Sequence, residues 1–314
     1  MSTAITTSGL TKHYRGVAAL TDLDLEVPAG SVFGFLGPNG AGKTTALKIL
    51  AGLTGATSGT AQIDGTPVGL QGEHRSKVGY LAQDPRFYGW MTGRQTLEYV
   101  ASFHPPAART RRPGDLLDLV GLADAADRPT KTYSGGMRQR LGIAQALAGD
   151  PAVLLLDEPA AALDPIGRRD VLELLRRLRG EVTVFFSTHI LDDVQRVSDH
   201  VAIVDRGRLV ISAPTADLVG GARGGTIRVA LLGATDRTAE GLATLSGVTG
   251  CRPTGGAADE RSYDLTVKDG WVPAVQRAVM HFAAESDLIV TSNRQETLAL
   301  EDVFLRIVNE ERAA

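Results

Sequence analysis

The sequence has few of the features that mark secreted or membrane-embedded proteins. It contains a single cysteine, Cys251, in 314 residues, so an internal disulfide is excluded and a reducing compartment is indicated. No run of apolar residues approaches the roughly 20 that are needed to span a bilayer. The amino-terminal segment MSTAITTSGLTKHYRG lacks the apolar stretch of a secretory signal. These absences predict a cytoplasmic protein.

A strong charge of either sign is missing as well. The formal net charge is −3, with 22% charged and 43% hydrophobic residues. This balance gives no electrostatic argument for binding nucleic acid or an anionic membrane surface, and we expect no nucleic-acid partner. The length and the apolar content are ample for a core and predict two domains.

The chain does contain a glycine-rich phosphate-binding pattern, G-x-x-x-x-G-K-[ST], between an apolar run at 32–36 and a helical pattern at 45–53. Its glycines permit a backbone whose N–H groups point at a phosphate, beside the positive end of the following helix. We expect Lys43 to reach the β- and γ-phosphates of ATP and the Thr44 hydroxyl to ligate Mg²⁺. A chance match is disfavoured by the flanking strand and helix. The predicted loop consists of Gly37, Pro38, Asn39, Gly40, Ala41, Gly42, Lys43, Thr44 and Thr45.

Two adjacent carboxylates end an apolar strand further along the chain, in the segment VLLLDEP. The continuous apolar run at 153–156 indicates a strand that is buried on both faces. Open parallel sheets bind ligands at the carboxyl ends of their strands, so Asp157 is predicted to hold the Mg²⁺ shell. Glu158 is the candidate general base or the group that orients the attacking water. The alternative, two solvated acids, is disfavoured by the phosphate loop that precedes them.

A Ser-Gly-Gly segment, YSGGMRQR, lies between the loop and the two acids. Ser134 is a suitable N-cap for a helix that runs towards Gly149. The start of such a helix carries roughly +0.5 elementary charge and free N–H groups. The segment is therefore an anion site with no phosphate loop of its own nearby in sequence.

Together these segments resemble the nucleotide-binding subunit of ABC transporters, over about residues 5–215. The resemblance identifies Tyr14 as the aromatic that stacks on adenine and Gln83 as the glutamine that touches the metal and the water and senses a membrane partner. It makes His189, at the carboxyl end of a predicted strand, the switch histidine at the γ-phosphate. The remaining matches are the signature residues Ser134, Gly135 and Gly136, and Asp164 of the dimer-contact loop.

The resemblance also implies partners. Two ATP molecules are sandwiched head to tail between two subunits, which form a homodimer or a heterodimer, and a separate transmembrane permease supplies the channel. The chain would then lie peripherally on the inner face of the cell membrane. The permease is expected to dock after Gln83, near Phe87, Tyr88, Trp90 and Met91.

Two positions depart from the commonest form of the family. The signature has Met137 in place of the usual Gln, and the dimer-contact loop has alanines at 160–162 where a hydroxyl residue normally precedes the Leu-Asp pair. Loss of the hydroxyl is expected to weaken one contact across the sandwich. Neither change removes a predicted catalytic residue.

The expected fold class is α/β: a P-loop NTPase (RecA-like) core with an antiparallel β subdomain and a helical subdomain, followed by a small C-terminal α/β domain. Short strands and turns are predicted within 3–30 and 57–82, with a turn at the Asp64-Gly65 pair. Helices are predicted from about 84 to 148, with breaks at Pro105-Pro106 and Pro113-Gly114. The predicted domains are 1–219 and 226–314, joined by a glycine-rich linker at 220–225. In the second domain we expect strands at 227–232, 263–267 and 288–291, and helices at 271–284 and 299–309.

The sequence therefore predicts an ATP-hydrolysing subunit of an ABC exporter for a drug, an antibiotic or a lipid. The segment LEDVFLRIV at 300–308 resembles the tail of bacterial drug- and polyketide-exporter ATPases. An alternative is a soluble ABC-type ATPase that clamps nucleic acid or ribosomes, although such proteins usually carry two cassettes or a long coiled coil. A sugar or peptide importer's ATPase is a third possibility, and the helical tail argues against it.

Overall fold

The computed structural model describes residues 2–105, 111–219, 225–255, 260–268 and 270–296. The chain divides into two compact units, Met1–Thr215 and Ala216–Ala314. The division comes shortly before the predicted boundary at 219, which stays a prediction. Apart from Gly225, the predicted linker lies outside the described residues.

The first unit is built around a six-stranded sheet with the order β10-β9-β3-β8-β7-β6. Its strands are parallel from β9 through β6, and β10 pairs with β9 in the antiparallel sense. The three strands β3, β7 and β8 are buried at every position, as expected where both faces of a parallel sheet are covered. The bounds are β3 Val32–Leu36, β6 Val78–Leu81, β7 Val153–Leu156, β8 Thr183–Thr188, β9 His200–Asp205 and β10 Arg208–Pro214.

A second, antiparallel sheet of the first unit has the order β2-β1-β4-β5. The turn between β4 and β5 is the predicted Asp64-Gly65 pair, with φ of 46° and 70°, and positive φ at both positions is what a tight hairpin requires. Ile5 and Leu20 of this sheet share one buried core with Phe33 of the larger sheet. The bounds are β1 Thr3–Tyr14, β2 Val17–Pro28, β4 Ser58–Ile63 and β5 Thr66–Pro67.

Three helices of the first unit lie within residues 84–148, where the sequence predicts helices. Pro113 was expected to break a helix, but it is the first residue of one, a position where the missing N–H of proline costs no hydrogen bond. A short 3₁₀ turn covers Glu73–Lys77. The helices are α1 Lys43–Leu50, α2 Gly93–Ala101, α3 Pro113–Leu119, α4 Gly135–Leu147, α5 Pro165–Arg177 and α6 Leu191–Val197.

The short helix α7, Thr215–Val219, spans the division between the two units, and the second unit then forms a βαββαβ arrangement. Its antiparallel sheet has the order β12-β13-β11-β14, which is the ferredoxin-like split βαβ pattern. Ile227, Val229 and Val279 belong to its own buried core. The bounds are β11 Thr226–Leu232, α8 Thr238–Ala243, β12 Val248–Gly255, β13 Glu260–Val267, α9 Val272–Glu285 and β14 Ile289–Glu296.

Two elements of the second unit were absent from the prediction. The strand β12 contains Pro253 and two glycines, residues that are unfavourable inside a strand but tolerated at a sheet edge, and β12 is an edge strand. The helix α8 is only six residues long. The predicted helix at 299–309, including the segment 300–308, lies outside the described residues.

Across the part of the chain that the structure describes, no helix has both the length and the apolar character to pass through a bilayer.

Candidate active site

The glycine-rich loop joins β3 to α1 and forms one wall of a cavity. Gly42 immediately precedes α1 with a φ of 99°, a conformation that side-chain-bearing residues rarely adopt. Gly40 has a φ of 83° and no atom within 4 Å of where a Cβ would be, so its backbone faces open space. The cavity has a volume of about 410 Å³. It is lined by Ala19, Asn39, Gly40, Gly42, Lys43, Thr44, Thr45, Gln83 and Glu158.

Lys43 is buried and held by the loop from which it starts. Its Nζ donates to the carbonyl oxygens of Gly37 at 2.7 Å and Pro38 at 3.0 Å. It also lies 3.4 Å from Oε1 of Glu158. The three contacts match the three N–H donors of an ammonium group, so Lys43 must exchange at least one of them to donate to a phosphate oxygen.

Asp157 follows β7 directly and is almost completely buried. Its Oδ1 accepts hydrogen bonds from the hydroxyls of Ser187 at 2.7 Å and Thr44 at 3.1 Å. No described residue donates to its other oxygen, Oδ2. Burial and the negative charge of Asp157 raise the pKa of the neighbouring Tyr80 to about 12.

Glu158 is held between a cation and an imidazole. Its carboxylate is 10% exposed, with Oε1 3.4 Å from Lys43 Nζ and Oε2 3.1 Å from Nδ1 of His189. His189 follows β8, as predicted, and its side chain is 40% exposed. The Glu158 backbone has a φ of 48°, and its N–H donates to the Ser187 hydroxyl at 2.9 Å. Contacts of both its side chain and its backbone therefore hold Glu158 in place at the cavity.

Two predicted residues differ in their relation to the cavity. Gln83 follows β6, is exposed and contributes to the lining. Tyr14, at the end of β1, is 44% exposed, and the Lys12 ammonium lies 4.8 Å from the centre of its ring. Tyr14 is not among the residues that line the cavity, so its stacking on adenine stays a prediction. Ala19 of β2 lines the cavity instead, and no motif pointed to it.

The Ser-Gly-Gly segment begins α4 and faces a second cavity of about 400 Å³. Ser134 is the N-cap, and its hydroxyl accepts from the N–H of Met137 at 3.2 Å. Asp164 caps α5 in the same way, accepting from the N–H of Gly167 at 2.7 Å. Ser134, Gly135, Gly136 and Asp164 all line this second cavity.

The two cavities have no lining residue in common. One chain therefore carries a phosphate loop with two acids at one place and a capped helix start at another. An anion bound at the loop and an anion bound at the helix start are separate ligands within a single chain.

Comparison with known proteins agrees with this geometry. A family model described as ABC transporter matches residues 20–161. An ABC transporter ATP-binding protein of Bacillus subtilis (strain 168) is 34% identical over 96% of this chain and 98% of its own length. The chain belongs to the ABC transporter ATP-binding proteins.

A second relative of this ABC ATP-binding subunit also extends over both units. The daunorubicin resistance ATP-binding protein of Streptomyces coeruleorubidus is 35% identical over 99% of this chain and 97% of its own length. A solved structure of a dimeric ATP-binding cassette bound to ADP and Pi is 25% identical, with a TM-score of 0.60 over 67% of this chain and 98% of the cassette. This ABC subunit accordingly binds ATP and hydrolyses it, and the hydrolysis energises transport through a separate membrane subunit.

The segment predicted to face the membrane subunit is only partly exposed. Trp90 is 72% and Tyr88 is 59% exposed, and their rings lie 6.0 Å apart. Met91 was expected on the same surface, but it is buried. Its N–H donates to the carbonyl of Tyr88 and its carbonyl accepts from Thr130, so Met91 supports the segment from inside. Phe87 is of intermediate exposure.

Sequence reasoning missed two aromatic residues on α2 and just after it. The ring of Tyr99 contacts Tyr88 at 6.3 Å and Phe103 at 5.0 Å between centroids. Tyr99 is 46% and Phe103 69% exposed. Their spacing of four residues in YVASF places them on one helix face, which is the signal that would have found them.

Proposed function

We propose that this ABC subunit powers the export of an antibiotic or a similar drug-like compound. The observation that carries the proposal is the match to a daunorubicin resistance protein over 99% of this chain, because it includes the second unit as well as the ATPase. A cassette alone is shared by transporters with many cargoes and argues only for ATP hydrolysis.

The proposed chemistry assigns one role to each group around the loop. Lys43 and the loop N–H groups bind the β- and γ-phosphates. Glu158 accepts a proton from the attacking water, and its 3.1 Å contact with His189 Nδ1 holds the acceptor oxygen in place. His189, which contacts Glu158 of the cavity lining, donates to the γ-phosphate after a small movement of its exposed ring.

The donor set also fits Mg²⁺. The Thr44 hydroxyl donates a hydrogen bond to Asp157 and so keeps its oxygen lone pairs available, while no residue that the structure describes donates to Oδ2 of Asp157. Among the described residues, no three His, Cys, Asp or Glu side chains cluster as an all-protein metal cage, and Mg²⁺ typically binds through one or two protein groups together with substrate phosphates. We assign Thr44, Asp157 and Gln83 to this site. When bound, Mg²⁺ neutralises charge on the phosphate oxygens.

The separate cavities support a head-to-tail pair of subunits. The start of α4 offers free N–H groups and a positive dipole end, with Ser134 as its cap. We propose that it binds the γ-phosphate held by the loop of the other subunit, with Asp164 at the contact. The pair is either two copies of this chain or this chain with a related one.

The membrane subunit is proposed to dock on the exposed rings of Tyr88 and Trp90, close in sequence to Gln83, which lines the ATP cavity. The ATPase subunit would then lie peripherally on the inner face of the membrane. Aromatic residues of this kind are enriched among the residues that dominate protein interfaces.

Transport in vesicles tests the proposed function. The subunit is co-expressed with its membrane subunit, and ATP and daunorubicin, a fluorescent probe, are added outside inverted membrane vesicles. Export predicts ATP-dependent accumulation of the probe inside inverted vesicles, and no accumulation with Lys43→Ala. Accumulation confined to right-side-out vesicles would instead identify an importer.

A further inference from the structure

Ser187 lies near the carboxyl end of β8 and is completely buried. A buried hydroxyl is costly unless its hydrogen-bonding capacity is used. Ser187 uses it on the two acids: its Oγ accepts from the N–H of Glu158 at 2.9 Å and donates to Oδ1 of Asp157 at 2.7 Å. One hydroxyl therefore bridges two consecutive residues of the neighbouring strand end.

We infer that Ser187 is a positioning residue that fixes the metal-binding oxygen of Asp157 and the backbone of Glu158 at the same time. The inference rests on the roles proposed above for these two acids. None of the motifs assigns a role to Ser187. The role follows from the pairing of β7 with β8, which places Leu156 beside Phe186 and so Asp157 beside Ser187.

The effect on Asp157 is geometric. Because Ser187 and Thr44 both donate to Oδ1, the carboxylate cannot rotate without losing two hydrogen bonds. Oδ2 is thereby kept turned away from both hydroxyls and available to a cation.

The effect on Glu158 acts through its backbone. A φ of 48° is unfavourable for a residue with a side chain, and such conformations persist where the surroundings hold them. The hydrogen bond from the Glu158 N–H to Ser187 is one of the contacts that hold it. Without it, the carboxylate is expected to leave its position between Lys43 and His189 for part of the time.

Three variants of the full-length chain separate positioning from stability. Ser187→Ala removes the hydroxyl and nearly preserves the volume, and Ser187→Thr retains a hydroxyl. The matched control is Thr183→Val on the same strand, since the buried Thr183 hydroxyl accepts from the N–H of Gly30 at 2.9 Å but contacts neither acid. Mn²⁺ binding to the ADP complex is measured by electron paramagnetic resonance, beside kcat, KM and Tm.

For Ser187→Ala we expect roughly 10- to 100-fold losses in Mn²⁺ affinity and in kcat, the range typical when a partner of a metal-binding residue is removed. KM for ATP changes little, because the glycine-rich loop is untouched. Ser187→Thr restores both properties, and Thr183→Val lowers only Tm. Wild-type Mn²⁺ affinity and kcat in Ser187→Ala would overturn the inference, as would equal losses in Thr183→Val.

A fourth variant, Asp157→Asn, separates this inference from the proposed function. It should lose Mn²⁺ binding whether or not Ser187 has a role. If Asp157→Asn bound Mn²⁺ like the wild type, the metal assignment itself would be wrong. If Asp157→Asn lost binding and Ser187→Ala did not, only the role of Ser187 would be rejected.

Discussion

Glu158 combines an unfavourable backbone conformation with a buried charge, and both are compensated locally. Its φ of 48° is held through the hydrogen bond to Ser187, and its carboxylate is balanced by Lys43. Removing one partner of a buried ion pair leaves an uncompensated charge. Lys43 and Glu158 therefore depend on each other.

The first prediction concerns this pair. Glu158→Gln preserves the shape of the side chain but removes the proton acceptor, so turnover should fall about 10²- to 10⁴-fold. ATP binding should be retained or tightened, because Lys43 is released from an ion pair and is free to donate to phosphate. Measuring kcat beside the equilibrium binding of ATP distinguishes the two effects.

Glu173→Gln is a suitable control for that experiment, since Glu173 lies on α5 with its side chain 61% exposed. It should leave both turnover and binding unchanged. Near-normal turnover in Glu158→Gln would remove Glu158 from the proposed role.

Individual residues differed in how far the sequence could predict them. Lys43, Asp157 and His189 belong to motifs that already suggest their roles. In the structure, Lys43 lines the cavity, Asp157 accepts a hydrogen bond from Thr44 of the cavity lining, and His189 contacts Glu158. Ser187 and Ala19 could not be found in this way. Their contacts depend on which strands are neighbours, and strand order is a property of the whole sheet.

At the scale of elements, α4 and α5 form a unit built on two helix caps. Ser134 and Asp164 start helices whose first turns approach closely, since a Cβ on Gly136 would lie 3.3 Å from the Cα of Gly167. Side chains at these glycines would separate the two helix starts. The second cavity is therefore shaped by both helices together.

The second prediction belongs to the start of α4. Ser134→Arg places a long cationic side chain over the free N–H groups, so the helix start can no longer meet a phosphate of another subunit. In a Glu158→Gln background, ATP should bind to the monomer with unchanged affinity while ATP-dependent dimers disappear. Light scattering during size-exclusion chromatography measures the dimer fraction.

Thr132→Arg is the matched control for Ser134→Arg. It adds the same charge two positions earlier, at an exposed residue that does not line the second cavity. Dimerisation should persist in this control. Dimers formed by Ser134→Arg on addition of ATP would show that the helix start does not bind the partner's nucleotide.

Elements were predictable where a single local signal decides them. The strands β3 and β7 are continuous runs without polar side chains, and α5 has an N-cap followed by proline. The strand β10 was missed because it alternates weakly and pairs with β9 only as an edge strand. Edge strands such as β10 and β12 obtain their conformation from a partner strand more than from their own composition.

At the scale of the whole molecule, the chain supplies half of what the proposed transporter requires. It carries the loop and both acids for one nucleotide, the capped helix start for another, and an exposed aromatic surface formed by Tyr88, Trp90, Tyr99 and Phe103. In the proposed transporter, each of these three sites is completed by a second polypeptide. The proposed assembly is therefore two ATPase subunits beneath a membrane subunit.

The last prediction tests the aromatic surface in that assembly. Removing aromatic anchors from an interface typically costs about 2 kcal/mol or more, which corresponds to roughly 30-fold weaker binding. Tyr88→Ala with Trp90→Ala should therefore reduce co-purification with the membrane subunit and ATP-dependent transport by at least about tenfold. ATP binding by the isolated subunit should be unchanged, because neither ring lines the ATP cavity. Leu70→Ala is the control, since Leu70 is similarly exposed, at 57%, but lies outside the aromatic segment in sequence. If the double variant transports like the wild type while Leu70→Ala is impaired, the membrane subunit docks elsewhere.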